Sequence, residues 1–143
     1  MSKSNSLETS VLALLFNATA IANIADNAAS APLTNLYVSL HTGDPGEGGA
    51  QTASEATYTS YARVAVARSG AGWTVSGDTV SNAATIQFPE CTGGSNTITY
   101  FAIGTLSSGA GIILYSGALT ASLAVSSGIQ PQFNLGDLTV TEA

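Results

Sequence analysis

Few side chains in this chain could perform catalysis. His41 is the single histidine and Cys91 the single cysteine among 143 residues. A catalytic histidine needs a nucleophile and an orienting acid within reach, and a reactive thiolate needs a nearby base or cation that lowers its pKa. His41 ends an alternating run just before a turn, and Cys91 follows Glu90 in a Gly-rich turn. Neither setting offers such partners, so we expect structural roles for both residues and no enzymatic activity.

Three carboxylates, Asp44, Glu47 and Glu55, fall in one loop region. Calcium and other hard cations are bound by several oxygens, but this spacing matches no calcium-binding loop. The glycines within 43–49 are not followed by the Lys-Ser/Thr pair of a phosphate-binding loop. We therefore expect carboxylates that cap turns in a solvated loop, with no metal and no cofactor. Sequence alone leaves open whether residues 44–55 bind a cation.

Arg63 stands in the middle of an alternating stretch that predicts a strand, in a chain with only three Lys and Arg residues. An unpaired charge close to a protein core is destabilising, so this guanidinium should pair with a carboxylate. Asp44 and Glu47 are the candidate partners, with Glu55 as a further one, and sequence cannot choose among them. We expect a structural ion pair at this place.

The charge balance excludes several classes of partner. Three basic residues stand against nine acidic ones, which gives a formal net charge of −6 and a pI near 4.2. The sequence contains no cluster of basic residues that could bind phosphates or an anionic bilayer. We therefore expect no nucleic-acid and no membrane partner. Only 8% of the residues are charged, against roughly 25% in an average soluble domain. A surface of small neutral groups suits contact with other copies or another protein, although an ordinary secreted β-sandwich fits the same composition.

The N-terminal part of the chain predicts a helix within an arm formed by residues 1–32. Asn5 and Glu8 have capping-box spacing, the helical turns could extend through 21–24, and Pro32 ends the pattern. The apolar stripe at helical spacing consists of Leu7, Val11, Leu14 and Leu15. This stripe either packs on the protein's own sheet or docks on a neighbouring subunit, and its four residues are the candidate interface.

Beyond the arm the hydrophobic period changes to two. Leu36, Val38 and Leu40 alternate with less apolar residues until the turn at 42–46. Further strands are predicted at 61–68, 73–75, 79–80, 84–88, 98–103, 112–115, 119–125 and 138–140. Short strands with a turn about every 8–12 residues, and no helical crossovers, are typical of two-sheet antiparallel folds. The sequence therefore predicts an all-β, jelly-roll-like antiparallel β-sandwich over residues 33–143, preceded by a short N-terminal α-helix.

Six aromatic residues scattered along the predicted β region allow two interpretations. They are Tyr58, Tyr61, Trp73, Phe88, Tyr100 and Phe101. A carbohydrate-binding β-sandwich module would use such rings as a platform, but their scattered positions favour core and interface anchors. Glycan retention in a pull-down would distinguish the carbohydrate-binding alternative from a structural protein.

The order of several segments along the chain is distinctive. The most specific is the run Leu36–Glu47, with the letters LYVSLHTGDPGE. Supporting segments are Tyr58, Tyr61–Arg63, Gly72–Val75, Phe88-Pro89, Ile103–Thr105, Tyr115–Gly117 and Leu138–Thr141. In this order they resemble a family of small tailed-phage virion proteins, over nearly the whole chain.

Members of that family are often labelled tail fibre proteins, and some are similar to cement proteins that sit as dimers on the outer capsid surface. The resemblance implies a structural virion protein with a jelly-roll-like fold. It implies a capsid cement or decoration role on the capsid exterior, where a homodimer bridges subunits of the major capsid protein. A tail or tail-fibre component is the alternative that the resemblance leaves open.

Overall fold

The computed structural model of this protein describes residues 3–21, 24–25 and 31–142. The chain divides into two compact units. Unit 1 comprises Met1–Asn35, Val66–Ile86 and Phe133–Ala143, and unit 2 comprises Leu36–Ala65 and Gln87–Gln132. Each unit is assembled from segments that are distant in sequence. The division into an arm, 1–32, and a sandwich domain, 33–143, stays a prediction.

The described residues form one helix and nine strands. The elements are α1 (Asn5–Asn17), β1 (Asn35–His41), β2 (Val64–Ala67), β3 (Trp73–Ser76), β4 (Thr79–Asn82), β5 (Ile86–Gln87), β6 (Ser95–Gly104), β7 (Ile113–Ser126), β8 (Gln132–Phe133) and β9 (Thr139–Thr141). The strands make three sheets, with the orders β2-β1-β6-β7, β3-β4-β9 and β5-β8. The predicted all-β class, with antiparallel sheets and a short N-terminal α-helix, is confirmed.

The helix α1 begins one residue before the position that the capping-box spacing predicts. Ser4 is the N-cap, and its hydroxyl oxygen accepts a hydrogen bond from the Leu7 N–H at 3.3 Å. This bond satisfies one of the amide groups that have no partner within the helix. Asn5 is therefore the first helical residue and not the cap, while Glu8 lies in the first turn, where a carboxylate stabilises the helix dipole.

The helix ends at Asn17, well before the end of the predicted arm. Ala18 adopts a left-handed backbone conformation with φ 53°, which stops the helical hydrogen-bond pattern. The predicted extension through 21–24 is wrong, because Ile21 forms an isolated antiparallel β-bridge with Ala25. The remaining residues of that stretch, 22–23 and 26–30, lie outside the described residues.

The buried face of α1 packs on β3 and β4 within unit 1. Leu12 and Phe16, four residues apart and so on one side of the helix, are fully buried. The Phe16 ring meets the Trp73 indole edge to face, with ring centroids 4.8 Å apart at 71°. This favoured aromatic geometry joins the helix to the first strand of the β3–β4 hairpin.

Arg68 fastens the C-terminal end of α1. Its Nε donates to the carbonyl of Leu15 at 2.6 Å, and its Nη2 donates to the carbonyl of Leu14 at 2.6 Å. Its Nη1 donates to the carbonyl of Leu33 at 3.2 Å. The last carbonyls of a helix have no helical partner and carry partial negative charge, so a guanidinium here stabilises the helix end.

The hairpin predicted around Gly77 and Asp78 is confirmed. β3 and β4 pair antiparallel, Ser76 lies opposite Thr79, and Gly77 takes the positive φ of 62° that the turn requires. Asn82, at the end of β4, is buried and links three segments of unit 1. Its Nδ2 donates to the carbonyls of Ala84 and Asn134, and its Oδ1 accepts from the Leu138 N–H.

In unit 2, β1 carries the buried residues Leu36, Val38 and Leu40, as its alternating pattern predicts. The intervening Ser39 and His41 are buried as well, so the second half of the strand is buried on both faces. The loop after β1 returns to His41, whose Nδ1 bonds the Ala53 carbonyl.

The strand β7 joins two segments that the sequence predicted as separate strands. It pairs antiparallel with β6 and shifts register midway: Leu123 lies opposite Ile98, whereas Ala118 lies opposite Tyr100. Four residues of β7, Leu119–Ser122, therefore face the single residue Thr99 and form a long bulge.

Candidate functional site

Arg63 is the centre of a buried polar cluster in unit 2. Its side chain is 2% exposed, and it makes a bidentate ion pair with Glu55: Nε to Oε1 at 2.7 Å and Nη2 to Oε2 at 2.9 Å. Its remaining bonds go to the carbonyls of Leu106 at 2.9 Å and Gly109 at 2.7 Å. The hydrogen bonds to Glu55 raise the pKa of Arg63 above its ordinary value.

Of the three carboxylates that the sequence offered as partners of Arg63, the ion pair within the described residues is made with Glu55, and not with Asp44 or Glu47. Backbone pairing is the physical reason, because Glu55 forms an antiparallel β-bridge with His41 at the end of β1. That bridge returns the loop to the sheet and holds this carboxylate in place. Asp44 instead accepts from the Gly46 N–H at 2.9 Å, which is the turn-capping role expected for it.

Tyr61 completes the cluster around Glu55. Its hydroxyl donates to Glu55 Oε1 at 3.0 Å and accepts from the Leu40 N–H at 3.1 Å. Burial raises the pKa of Tyr61 well above its ordinary value, so the hydroxyl remains a donor. A cavity of about 280 Å³ borders the cluster, but Arg63 and Glu55 in its wall already bond each other. The arrangement tethers loops to the sheet.

His41 is buried with both ring nitrogens engaged. Nδ1 lies 2.8 Å from the Ala53 carbonyl, which can only accept, so Nδ1 carries the proton and donates. Nε2 lies 2.8 Å from the Ser39 hydroxyl and accepts from it. Desolvation by burial lowers the pKa of His41 below its ordinary value, partly offset by the bond to Ala53. The imidazole is thus held neutral, in the hydrogen-bonded structural role that we expected.

Cys91 is fully buried, and its thiol lies 3.2 Å from the Gly93 carbonyl, to which it donates. The thiol has no exposed face that a substrate could reach. This placement agrees with the packing role predicted for it.

A second cavity, of about 400 Å³, lies beside the acidic turn of unit 2. It is lined by Asp44, Gly46, Glu47, Tyr100, Ile113, Leu114, Tyr115 and Ser116. Across residues 3–21, 24–25 and 31–142, no group of three or more His, Cys, Asp or Glu side chains is placed to hold a metal ion. Glu55 pairs with Arg63, so the three carboxylates of the predicted loop do not act together. Within the same ranges, no helix is long and apolar enough to cross a bilayer.

The aromatic residues divide between core and partly exposed positions. Tyr58, Trp73 and Phe88 are buried, with exposed fractions of 3%, 0% and 1%. These three rings cannot belong to a surface platform for carbohydrate. They match the interpretation of the aromatics as core anchors.

The predicted interface stripe of α1 is partly covered. Leu7 is 42% exposed, and Val11, Leu14 and Leu15 are half-buried. Sequence reasoning chose this stripe and missed Leu12 and Phe16, which form the fully buried face of the helix. The i, i+4 spacing of those two residues was the available signal. Whether the stripe binds a neighbouring subunit remains a prediction.

Sequence reasoning also missed the surface that β7 presents. This strand is the last in the order β2-β1-β6-β7, so it forms an edge of the sheet. Its apolar alternation over 119–125 predicts a half-buried strand, yet only Val125 of that series is buried, and Leu123 is 37% exposed. The described residues therefore leave an edge of mostly small, uncharged side chains at the surface.

A comparison with protein families matches nearly the whole chain to one family. The sequence model of the family described as Podophage GP4 fiber I protein gp80 matches residues 2–141. No curated protein matches the chain. The match confirms the resemblance at the level of a tailed-phage virion protein, and its description refers to a fibre and not to a capsid cement protein. The chain belongs to the Podophage GP4 fiber I protein gp80 family of phage virion proteins.

Proposed function

We propose that this protein is a structural subunit on the outside of the phage particle and a component of its fibre apparatus. The observation that carries the proposal is the family match, which spans residues 2–141 and whose description names a fibre protein. The protein acts by binding other virion proteins and carries out no chemical reaction.

The side chains that could react are already hydrogen-bonded, ion-paired or buried, which supports a non-catalytic role. His41 is neutral and bonded at both nitrogens, Cys91 is buried, and Arg63 is bonded to Glu55 and to two backbone carbonyls. Catalytic groups need access to a substrate and a pKa suited to proton transfer. These residues instead hold loops against the sheet.

The charge of the chain supports a position away from packaged nucleic acid. With a net charge of −6, the protein is repelled by phosphates. Because only 8% of its residues are charged, electrostatic attraction contributes little to its association with a partner. Its contacts with other virion proteins must rely on apolar groups and backbone hydrogen bonds. An exterior position, where acidic surface faces solvent, fits this balance.

A capsid cement or decoration role on the capsid exterior is the second candidate. Its support is the small-residue, charge-poor composition, which suits a small protein that binds across the seams between subunits of the major capsid protein. Many copies would then add contact area that must be broken before capsid subunits separate.

Fractionation of purified particles tests the proposal and separates the two candidates. Particles are disrupted, heads and tails with their fibres are separated on a gradient, and an antibody against the protein is applied to each fraction. The fibre role predicts signal in the tail and fibre fraction. Signal confined to heads would contradict it and support the cement role, while absence from all particle fractions would contradict both.

A further inference from the structure

The cavity beside the Arg63–Glu55 pair is the size of a single small ligand. Its volume is about 280 Å³, and its lining residues all belong to unit 2. They are Glu55, Ala56, Tyr61, Ala62, Arg63, Ser107, Ser108 and Gly109. Pockets that hold drug-sized molecules span about 300–1,000 Å³, so this cavity suits one small ring and not an extended ligand.

Arg63 keeps one hydrogen-bond donor unused in the wall of this cavity. A guanidinium carries five N–H groups. Four of them bond within unit 2: Nε and Nη2 donate to Glu55, Nη2 also donates to the Gly109 carbonyl, and Nη1 donates to the Leu106 carbonyl. Within the described residues, the second N–H of Nη1 has no acceptor. Because the side chain is only 2% exposed, a ligand oxygen at this place satisfies a buried donor that the fold leaves open.

Glu55 keeps an acceptor site beside that donor. Its Oε1 accepts from Arg63 Nε at 2.7 Å and from the Tyr61 hydroxyl at 3.0 Å, whereas among the described residues Oε2 accepts from Arg63 Nη2 alone. The two oxygens of a carboxylate offer about four acceptor sites, so Oε2 retains one. The side chain of Glu55 is 15% exposed and is accessible to a ligand. The exposed residues Ser107 and Ser108 add two hydroxyls, each of which can donate or accept.

The charge and the bonding pattern of the wall together define the ligand. The guanidinium and the carboxylate neutralise each other, so the wall attracts neither an anion nor a cation. A ligand has to accept from Arg63 and donate to Glu55, and a hydroxyl is a neutral group that does both. A side-chain amide also does both, but it is one flat group. A sugar ring carries several hydroxyls, which can meet the ion pair and the two serines at once.

We propose that the cavity beside Arg63 and Glu55 binds one neutral sugar ring of a glycan, whose adjacent hydroxyls accept from Arg63 Nη1 and donate to Glu55 Oε2. This polar cavity differs from an aromatic platform, since the buried rings of Tyr58, Trp73 and Phe88 take no part in it. A single ring held by a few such bonds should bind with a dissociation constant on the order of 1–10 mM. The inference goes beyond the proposed function, which concerns contacts with other virion proteins.

Saturation-transfer difference NMR on the whole chain tests the chemistry of the ligand. The probes are glucose, galactose, mannose and N-acetylglucosamine, each at concentrations up to about 50 mM, several times the expected dissociation constant. At least one of these neutral sugars should receive saturation from the protein. The uronate and the amino sugar of the same ring carry one negative and one positive charge, and both should bind more weakly than the neutral form.

Variants test whether the sugar occupies this cavity. Ala62 lines the cavity and is exposed, so Ala62→Trp fills the space without entering the core and should abolish the signal. Ala65→Trp is the matched control, because Ala65 is also exposed, lies on β2 and is not among the lining residues. Ser116→Trp is a second control, because Ser116 is exposed and lines the other cavity of unit 2. Both controls should bind the sugar as the wild type does, and circular dichroism establishes that each variant is folded.

The proposal is overturned if no neutral sugar receives saturation, or if a charged form of the ring binds as well as the neutral one. It is equally overturned if Ala62→Trp binds like the wild type, or if Ser116→Trp is the variant that loses binding. Saturation of acetamide in place of every sugar would also overturn it and would indicate an amide side chain of a partner protein.

Should Ala62→Trp fail to fold, the double variant Ser107→Ala, Ser108→Ala decides. It removes two hydroxyls from the wall of the cavity, so weaker sugar binding is expected and an unchanged affinity would overturn the proposal. None of these measurements uses the phage particle, so failure of sugar binding is distinguishable from failure of the fibre assignment.

Discussion

Arg63 and Glu55 form a bidentate ion pair that is buried in unit 2, with N–O distances of 2.7 and 2.9 Å. The same guanidinium holds the carbonyls of Leu106 and Gly109. One side chain thus ties the loop after β6 to the segment that returns to β1. In a chain with three cations, this use of an arginine is structural.

Removing either partner of this pair should strongly destabilise the protein. Glu55→Gln leaves a buried guanidinium without its counter-ion, so we expect a loss of about 3 kcal/mol in the free energy of unfolding, measured by urea denaturation. The matched control is Lys3→Met, which breaks the Lys3–Glu142 pair of 2.7 Å, where Lys3 is 35% exposed. That change should cost about 0–1 kcal/mol. Equal losses of unfolding free energy in the two variants would contradict the stabilising role assigned to the Arg63–Glu55 pair.

Stability should fall on mild acidification because of His41. Burial holds its folded-state pKa below the ordinary value of 6.5, although the Glu55 charge opposes this and Arg63 adds to it. The unfolded chain therefore binds more protons than the folded chain as the pH falls from 6.5 toward the lowered pKa, and stability is lost in that window. The decline between about pH 7.5 and about pH 5.5 should be smaller in His41→Gln than in the wild type. If the stability of the wild type and of His41→Gln fell equally with pH, the imidazole of His41 would not be buried and neutral.

The two faces of α1 should differ in their effect on folding. Leu12→Ala removes a fully buried side chain and should cost about 2–5 kcal/mol, whereas Leu7→Ala, at a residue 42% exposed, should cost less than about 1 kcal/mol. Deleting residues 1–30 removes Leu12 and Phe16 together, so we expect unit 1 to lose stability. A truncated protein with an unchanged melting temperature would show that the helix is a detachable arm.

Particle binding should be insensitive to salt. With 8% charged residues, the contacts with other virion proteins can contain few ion pairs. Washing particles in about 1 M sodium chloride, which shortens the Debye length to about 3 Å, should leave the protein attached, whereas denaturant should release it. Release by salt alone would indicate a contact held by charge.

The sequence predicts local structure here better than it predicts pairing between distant segments. The β3–β4 hairpin and the apolar face of β1 follow from turn residues and from period-two alternation, which are local properties. The pairing of Arg63 with Glu55 depends on the β-bridge between Glu55 and His41, which no local pattern specifies. The bulge in β7 has the same origin, because a register shift is set by the partner strand. The early end of α1 depends on the backbone conformation of Ala18, a residue type with no preference for positive φ.

A difference map from electron cryo-microscopy tests the central claim most directly. Particles that carry the protein are reconstructed beside particles from a phage in which its gene is deleted. The fibre assignment predicts that the deletion removes density from the fibre apparatus outside the particle and leaves the shell unchanged. Missing density spread over the outer capsid surface, or identical maps, would contradict it.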